Sequence, residues 1–68
     1  MQAVKSSNIK AIGYEPETQR LHVQFGSGKT YAYDGVKAEE HEALINAASV
    51  GSHFHHAIRG KYNGVEVR

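Results

Sequence analysis

An α+β fold, with a three-stranded antiparallel β-meander followed by two short helices packed on one of its faces, is predicted by three features of the chain. Apolar and polar residues alternate between residues 10 and 33, turn-forming residues interrupt that alternation twice, and the apolar period lengthens to helical spacing after Gly35. In the first strand Lys10, Ile12 and Tyr14 lie two apart and lead into Glu15-Pro16-Glu17-Thr18-Gln19, which contains the only proline. Arg20 to Phe25 then sets Leu21, Val23 and Phe25 on one face and Arg20, His22 and Gln24 on the other. Gly26-Ser27-Gly28 is the strongest turn signal, and Tyr31 and Tyr33 share a face of the strand after it.

Register follows from the same pattern. A first hairpin with Tyr14 opposite Leu21 puts Ile12 opposite Val23. A second turn centred on Gly28 puts Phe25 opposite Tyr31 and Val23 opposite Tyr33. All three strands then aim their large apolar side chains at one face, which a slip of one residue would scatter. Asp34-Gly35 closes the sheet and Val36 leads into a helix from about Lys37 to Ala48, with Ala43, Leu44, Ala47 and Ala48 at helical spacing. Glu39, Glu40 and Glu42 occupy its first half, where carboxylates suit the positive end of the helix dipole. Ser49-Val50-Gly51-Ser52 breaks that helix, and Ser52 is the expected N-cap of a second one carrying Phe54, Ala57, Ile58 and Tyr62 as its apolar stripe. Gly60 and Asn63-Gly64 end it. The chain thus reads as one domain over residues 1–68, with a core of about 4–62 and a short tail over 63–68.

Composition narrows the function. At 68 residues there is room for one hydrophobic core, and the absence of cysteine removes disulfides and thiolate chemistry. Met1 to Asn8 lacks the apolar run of a secretory signal, and no apolar run reaches the roughly 18 residues of a spanning helix, so a cytoplasmic location without membrane attachment is expected. The formal charge of +1 is far from the strongly basic balance of a dedicated nucleic-acid binder.

The order Ser6-Ser7-Asn8-Ile9, Ile12-Gly13-Tyr14, Leu21-x-Val23-x-Phe25, Ser27-Gly28, Tyr31-x-Tyr33 and Val36 resembles the KTSC domain. Leu44, Ala47, Ser49-x-Gly51, Phe54, Ile58-Arg59 and Tyr62 continue the likeness, which spans Val4 to Tyr62. That family takes its name from the C-terminus of some lysyl-tRNA synthetases and also occurs as stand-alone bacterial and phage proteins. The resemblance therefore implies an association with RNA. The chain departs from the family pattern at Lys37, where proline is common, and at His55, where asparagine is usual.

Several constellations are candidates for function. Arg59 and Lys61, near His55, His56 and Arg68, make the second helix and tail basic, and phosphate contact there is the leading nucleic-acid hypothesis. Arg20 and Lys29, with His22 and Gln24, offer a second weakly basic surface. Tyr31 and Tyr33 suit base stacking, but their face is shared with Leu21, Val23 and Phe25, which assigns them to the core. Their hydroxyls then need partners, and Ser6, Ser7 and Asn8 are expected to join them in one structural network. His53 and His56, three apart, are weak candidates for a metal pair. No cysteine accompanies them, so no metal or other cofactor is assigned. Gly26-Ser27-Gly28-Lys29-Thr30 lacks the spacing of a phosphate loop and lies in a hairpin. No pair of titratable groups in a pocket is evident, so the chain reads as a non-enzymatic binding module. The leading hypothesis is an RNA-binding accessory domain. The alternative is a protein-interaction module, for example a phage or prophage product acting on a host protein, and a homodimer formed through a sheet edge is compatible with either.

Overall fold

A computed structural model of the chain describes residues 2–4, 6 and 8–67. The described residues form β1 (Gln2–Ala3), β2 (Ile9–Glu15), β3 (Arg20–Phe25), β4 (Thr30–Tyr33), α1 (Ala38–Ile45), α2 (Val50–His53) running into a π-helical segment (Phe54–Arg59), and β5 (Gly64–Val67). The five strands make one antiparallel sheet in chain order. The α+β class with an antiparallel sheet and two helices holds, but the sheet is larger than three strands. Two-residue β1 borders β2, and residues 64–67, expected as tail, return alongside β4. Among the described residues, no helix is long and apolar enough to cross a membrane.

The first hairpin pairs Tyr14 with Leu21 and Ile12 with Val23, as the alternation predicts. The second is displaced by two residues. Val23 faces Tyr31 and Leu21 faces Tyr33, because the loop is centred on Ser27 rather than Gly28. The Gly28 N–H donates to the Phe25 carbonyl (2.9 Å), and the Phe25 N–H donates to the Lys29 carbonyl (2.8 Å). Gly28 sits between them at φ 96°, the left-handed residue of a three-residue hairpin loop. A shift of two conserves the face of every side chain, so the core side of the sheet survives the correction.

A bulge in β2 changes the expected strand phase. Ile9 faces Phe25 and Ala11 faces Gln24, leaving Lys10 as the extra residue. Ile9 and Ile12, three apart, are therefore both buried, and Lys10 is exposed. They join Leu21, Val23, Tyr33, Val36, Leu44, Val50, Phe54 and Ile58 in one core between sheet and helices.

The helices also differ from expectation. α1 ends at Ile45 with Asn46 as C-cap, and only Leu44 of its apolar stripe is fully buried, Ala43 being exposed. The N-cap of α2 is Ser49 rather than Ser52: its Oγ accepts from the Ser52 N–H at 3.4 Å. Val50, Phe54 and Ile58 are all buried at four-residue spacing. On an α-helix that spacing drifts by about 40° per step, and widening to a π-turn brings the three back towards one line facing the sheet.

Candidate functional site

The four basic candidates separate into two groups. The Arg20 Nε donates to Asp34 Oδ1 at 3.0 Å, and the Lys61 Nζ donates to Glu40 Oε1 at 3.1 Å. Both charges are thus partly neutralised by carboxylates. Arg59 and Lys29 form no ion pair among the described residues. They converge instead on a cleft of about 320 Å³ that they line with Phe25, Ser27, Tyr31 and Tyr33.

Arg59 also borders a second cleft, of about 440 Å³, on the other side of Phe25. Ile9 and Phe54 contribute apolar lining there, while Asn8, Ser52 and His55 supply polar side chains. Among the described residues, no carboxylate lines either cleft. The π-turn explains how His55 and Arg59 reach the same cleft: they are four apart, as are the buried residues beside them. The bulge at Lys10 re-aims the chain just after Asn8 in the same way.

An aromatic cluster supports the cleft walls. Tyr31 meets Phe25 edge to face at 5.7 Å between ring centroids, Phe25 meets Phe54 at 5.6 Å, and Phe54 meets Tyr33 at 5.5 Å. Such contacts contribute about 0.5–1.5 kcal/mol each beyond area burial. Tyr33 is buried, and Tyr31 and Phe25 are half-buried, so the latter two present ring surface to the cleft. Burial raises the Tyr33 phenol above its ordinary value, with the Arg59 charge opposing and Tyr31 adding to the rise.

The network expected between the Ser-Ser-Asn segment and the tyrosine pair does not form among the described residues. The Ser6 Oγ accepts from the backbone N–H groups of Asn8 (3.3 Å) and Ile9 (3.4 Å), stabilising the bend before β2. Ser7 lies outside the described residues. The tyrosine hydroxyls that bond across the fold are others: Tyr14 donates to the Val36 carbonyl, and Tyr62 donates to Glu40. On that side His41 stacks on Tyr14 at 4.6 Å, and burial lowers the His41 pKa while Glu42 opposes the shift. Among the described residues no three histidines or carboxylates converge on a common point, and His56 instead meets His55 edge to face at 5.4 Å.

Sequence alone does not single out Phe25, Asn8 and Ser52 as companions of Arg59; His55 is expected near Arg59, but not in a cleft shared with Asn8 and Ser52. Phe25 reads as core, and its half-exposure comes from its place at the end of β3 beside a glycine-rich loop. Asn8 lies just before the bulge and His55 lies in the π-turn, neither of which has a sequence signature here, and Ser52 joins them from α2.

Comparison with known proteins places this architecture. The chain matches the KTSC domain family over residues 5–62. It is 40% identical to an uncharacterized protein of Stutzerimonas stutzeri over 60 residues, covering 88% of this chain and 84% of that protein. A lysine–tRNA ligase of Nostoc is 45% identical over 58 residues, 85% of this chain but 10% of the ligase. The crystal structure of a KTSC domain protein from Yersinia pestis superposes with a TM-score of 0.94 at 37% identity, covering 98% of this chain and 94% of that one. On the extent of these matches, and on a fold shared almost end to end, the chain belongs to the KTSC domain family.

Proposed function

We propose that this chain is a non-enzymatic RNA-binding accessory module of the cytoplasm that holds a single-stranded segment in the cleft between the Gly26–Gly28 loop and the π-helical segment. One observation carries the proposal: the two basic candidates without a carboxylate partner among the described residues, Arg59 and Lys29, are the two that line a cleft with half-buried aromatic rings. Cations beside stacking surfaces are the arrangement that binds single strands with little dependence on sequence. Relatedness to a segment of a lysine–tRNA ligase is consistent with such a ligand. Binding without catalysis fits the polar groups present, since the one histidine lining the clefts is exposed and has no carboxylate partner among the described residues. The test is titration of labelled transfer RNA and single-stranded RNA at several salt concentrations. Affinity that falls as salt rises is expected, and affinity indifferent to salt would overturn the proposal.

A second reading, as a protein-interaction module, rests on β5. Its outer edge pairs with no strand among the described residues, and Val65 and Val67 are 60% and 40% exposed. An extended peptide added at that edge would bind through main-chain hydrogen bonds and show little salt dependence.

A further inference from the structure

The two clefts share Phe25 and Arg59, and they differ in chemistry. The first combines the Tyr31 ring and the Lys29 charge with the Ser27 hydroxyl. The second presents the Asn8 amide, the Ser52 hydroxyl and the His55 imidazole above Phe54. None of these three side chains has a hydrogen-bond partner among the described residues. Each can donate and accept, which is the requirement for matching the polar edge of an unstacked base. An aromatic wall with a lysine, by contrast, accepts any base.

Their relative position is fixed by the backbone. The Gly26 N–H donates to the Asn8 carbonyl at 2.8 Å, fastening the loop that carries Ser27 and Lys29 to the residue that opens the second cleft. The Asn8 N–H is in turn bonded to the Ser6 Oγ. The Asn8 main chain is therefore held on both sides while its amide stays available. Both volumes lie in the range of sites that take small organic groups, about 300–1,000 Å³. A guanidinium between two such clefts, with no carboxylate among the described residues lining either, suits a phosphodiester whose two nucleosides diverge.

We infer that the minimal ligand of this site is a dinucleotide step of single-stranded RNA. Arg59 holds the phosphodiester, one base lies against Tyr31 and Phe25, and the adjacent base enters the second cleft, where Asn8, Ser52 and His55 read its edge. The inference rests on the RNA-binding function proposed above and adds to it a ligand length and one position of base selectivity.

Nuclear magnetic resonance titration of the full chain tests it, using the dinucleoside monophosphates UpU and ApA, the mononucleotides UMP and AMP, and a longer single-stranded RNA. The dinucleotides are expected to shift amides of Lys29 and Tyr31 together with those of Asn8, Ser52 and His55, and to bind about tenfold more tightly than the mononucleotides, the gain of one further base contact. Asn8→Ala is expected to change the ratio of UpU to ApA affinity, whereas Lys29→Ala weakens both equally. Retained binding of the longer RNA, with dinucleotide shifts confined to one cleft, would overturn the dinucleotide step and leave the RNA-binding proposal standing. Failure of the longer RNA to bind at low salt would overturn both.

Discussion

The ring of Tyr33 occupies the space in which a Cβ on Gly64 would lie, 2.6 Å from its Cε2. Tyr33 cannot yield readily, because it is buried and packed edge-on against Phe54. Gly64→Ala must therefore displace either the ring or β5. Overpacking of this kind costs about 1–3 kcal/mol. The expected outcome is a lower urea midpoint and faster amide exchange at Val65 and Val67, and an unchanged midpoint would show that the ring swings aside.

Gly28 makes a different demand. A Cβ added at this residue would meet nothing within 4 Å, so at φ 96° its constraint is conformational rather than steric crowding. Gly28→Ala is expected to cost about 1–2 kcal/mol, the penalty for an L-residue in left-handed backbone. Thermal unfolding measures that loss. Since the same loop positions Lys29, RNA affinity should fall with it.

The Tyr62 hydroxyl and the Lys61 ammonium both donate to the Glu40 carboxylate, tying the end of the π-helical segment to α1. The Tyr62 bond holds the Glu40 carboxyl below its ordinary 4.5, with burial opposing and Lys61 adding to the effect. The same bond, reinforced by burial, pushes the Tyr62 phenol up to about 12. A depressed carboxyl stabilises the fold fully above pH 4.5 and loses that stabilisation as pH falls through its folded-state pKa. A raised phenol stabilises fully below pH 10.0 and loses it as pH climbs towards about 12. Tyr62→Phe should cost about 1 kcal/mol at neutral pH. It should also flatten the stability profile, measured by denaturant unfolding, in both the acid and the alkaline window.

The sorting of the cations gives a quantitative expectation. If Arg59 and Lys29 each neutralise one phosphate, the slope of log affinity against log salt is roughly −1.4 for a single strand and falls to roughly −0.7 in Arg59→Ala or Lys29→Ala. Lys61→Ala and Arg20→Ala should leave the slope within error of the parent, because those side chains already face Glu40 and Asp34. Fluorescence anisotropy over a salt series measures all four.

Much of this fold is legible in the sequence because burial and alternation coincide. Leu21, Val23 and Tyr33 are buried on the predicted face, and the first hairpin takes the predicted register. Strand β5 is illegible for the opposite reason: Val65 and Val67 alternate, but both are exposed and no buried residue marks the strand. The displaced second hairpin turns on the left-handed backbone of Gly28, which Gly26-Ser27-Gly28 permits at either glycine. At the site, Arg59 and Lys29 are visible as charges, but only the folded chain shows that Lys61 and Arg20 face carboxylates while these two face none among the described residues. Asn8 and His55 depend on a one-residue bulge and a widened helical turn, local irregularities that no apolar period encodes.

The measurement that tests the central claim most directly is a low-salt titration of a labelled single-stranded RNA with the parent chain, Arg59→Ala and Lys61→Ala, each first shown by circular dichroism to be folded. Saturable binding by the parent and by Lys61→Ala, with affinity reduced about tenfold or more in Arg59→Ala, is the predicted result. Equal affinity in all three, or no binding by the parent, would contradict an RNA site at the Arg59 cleft.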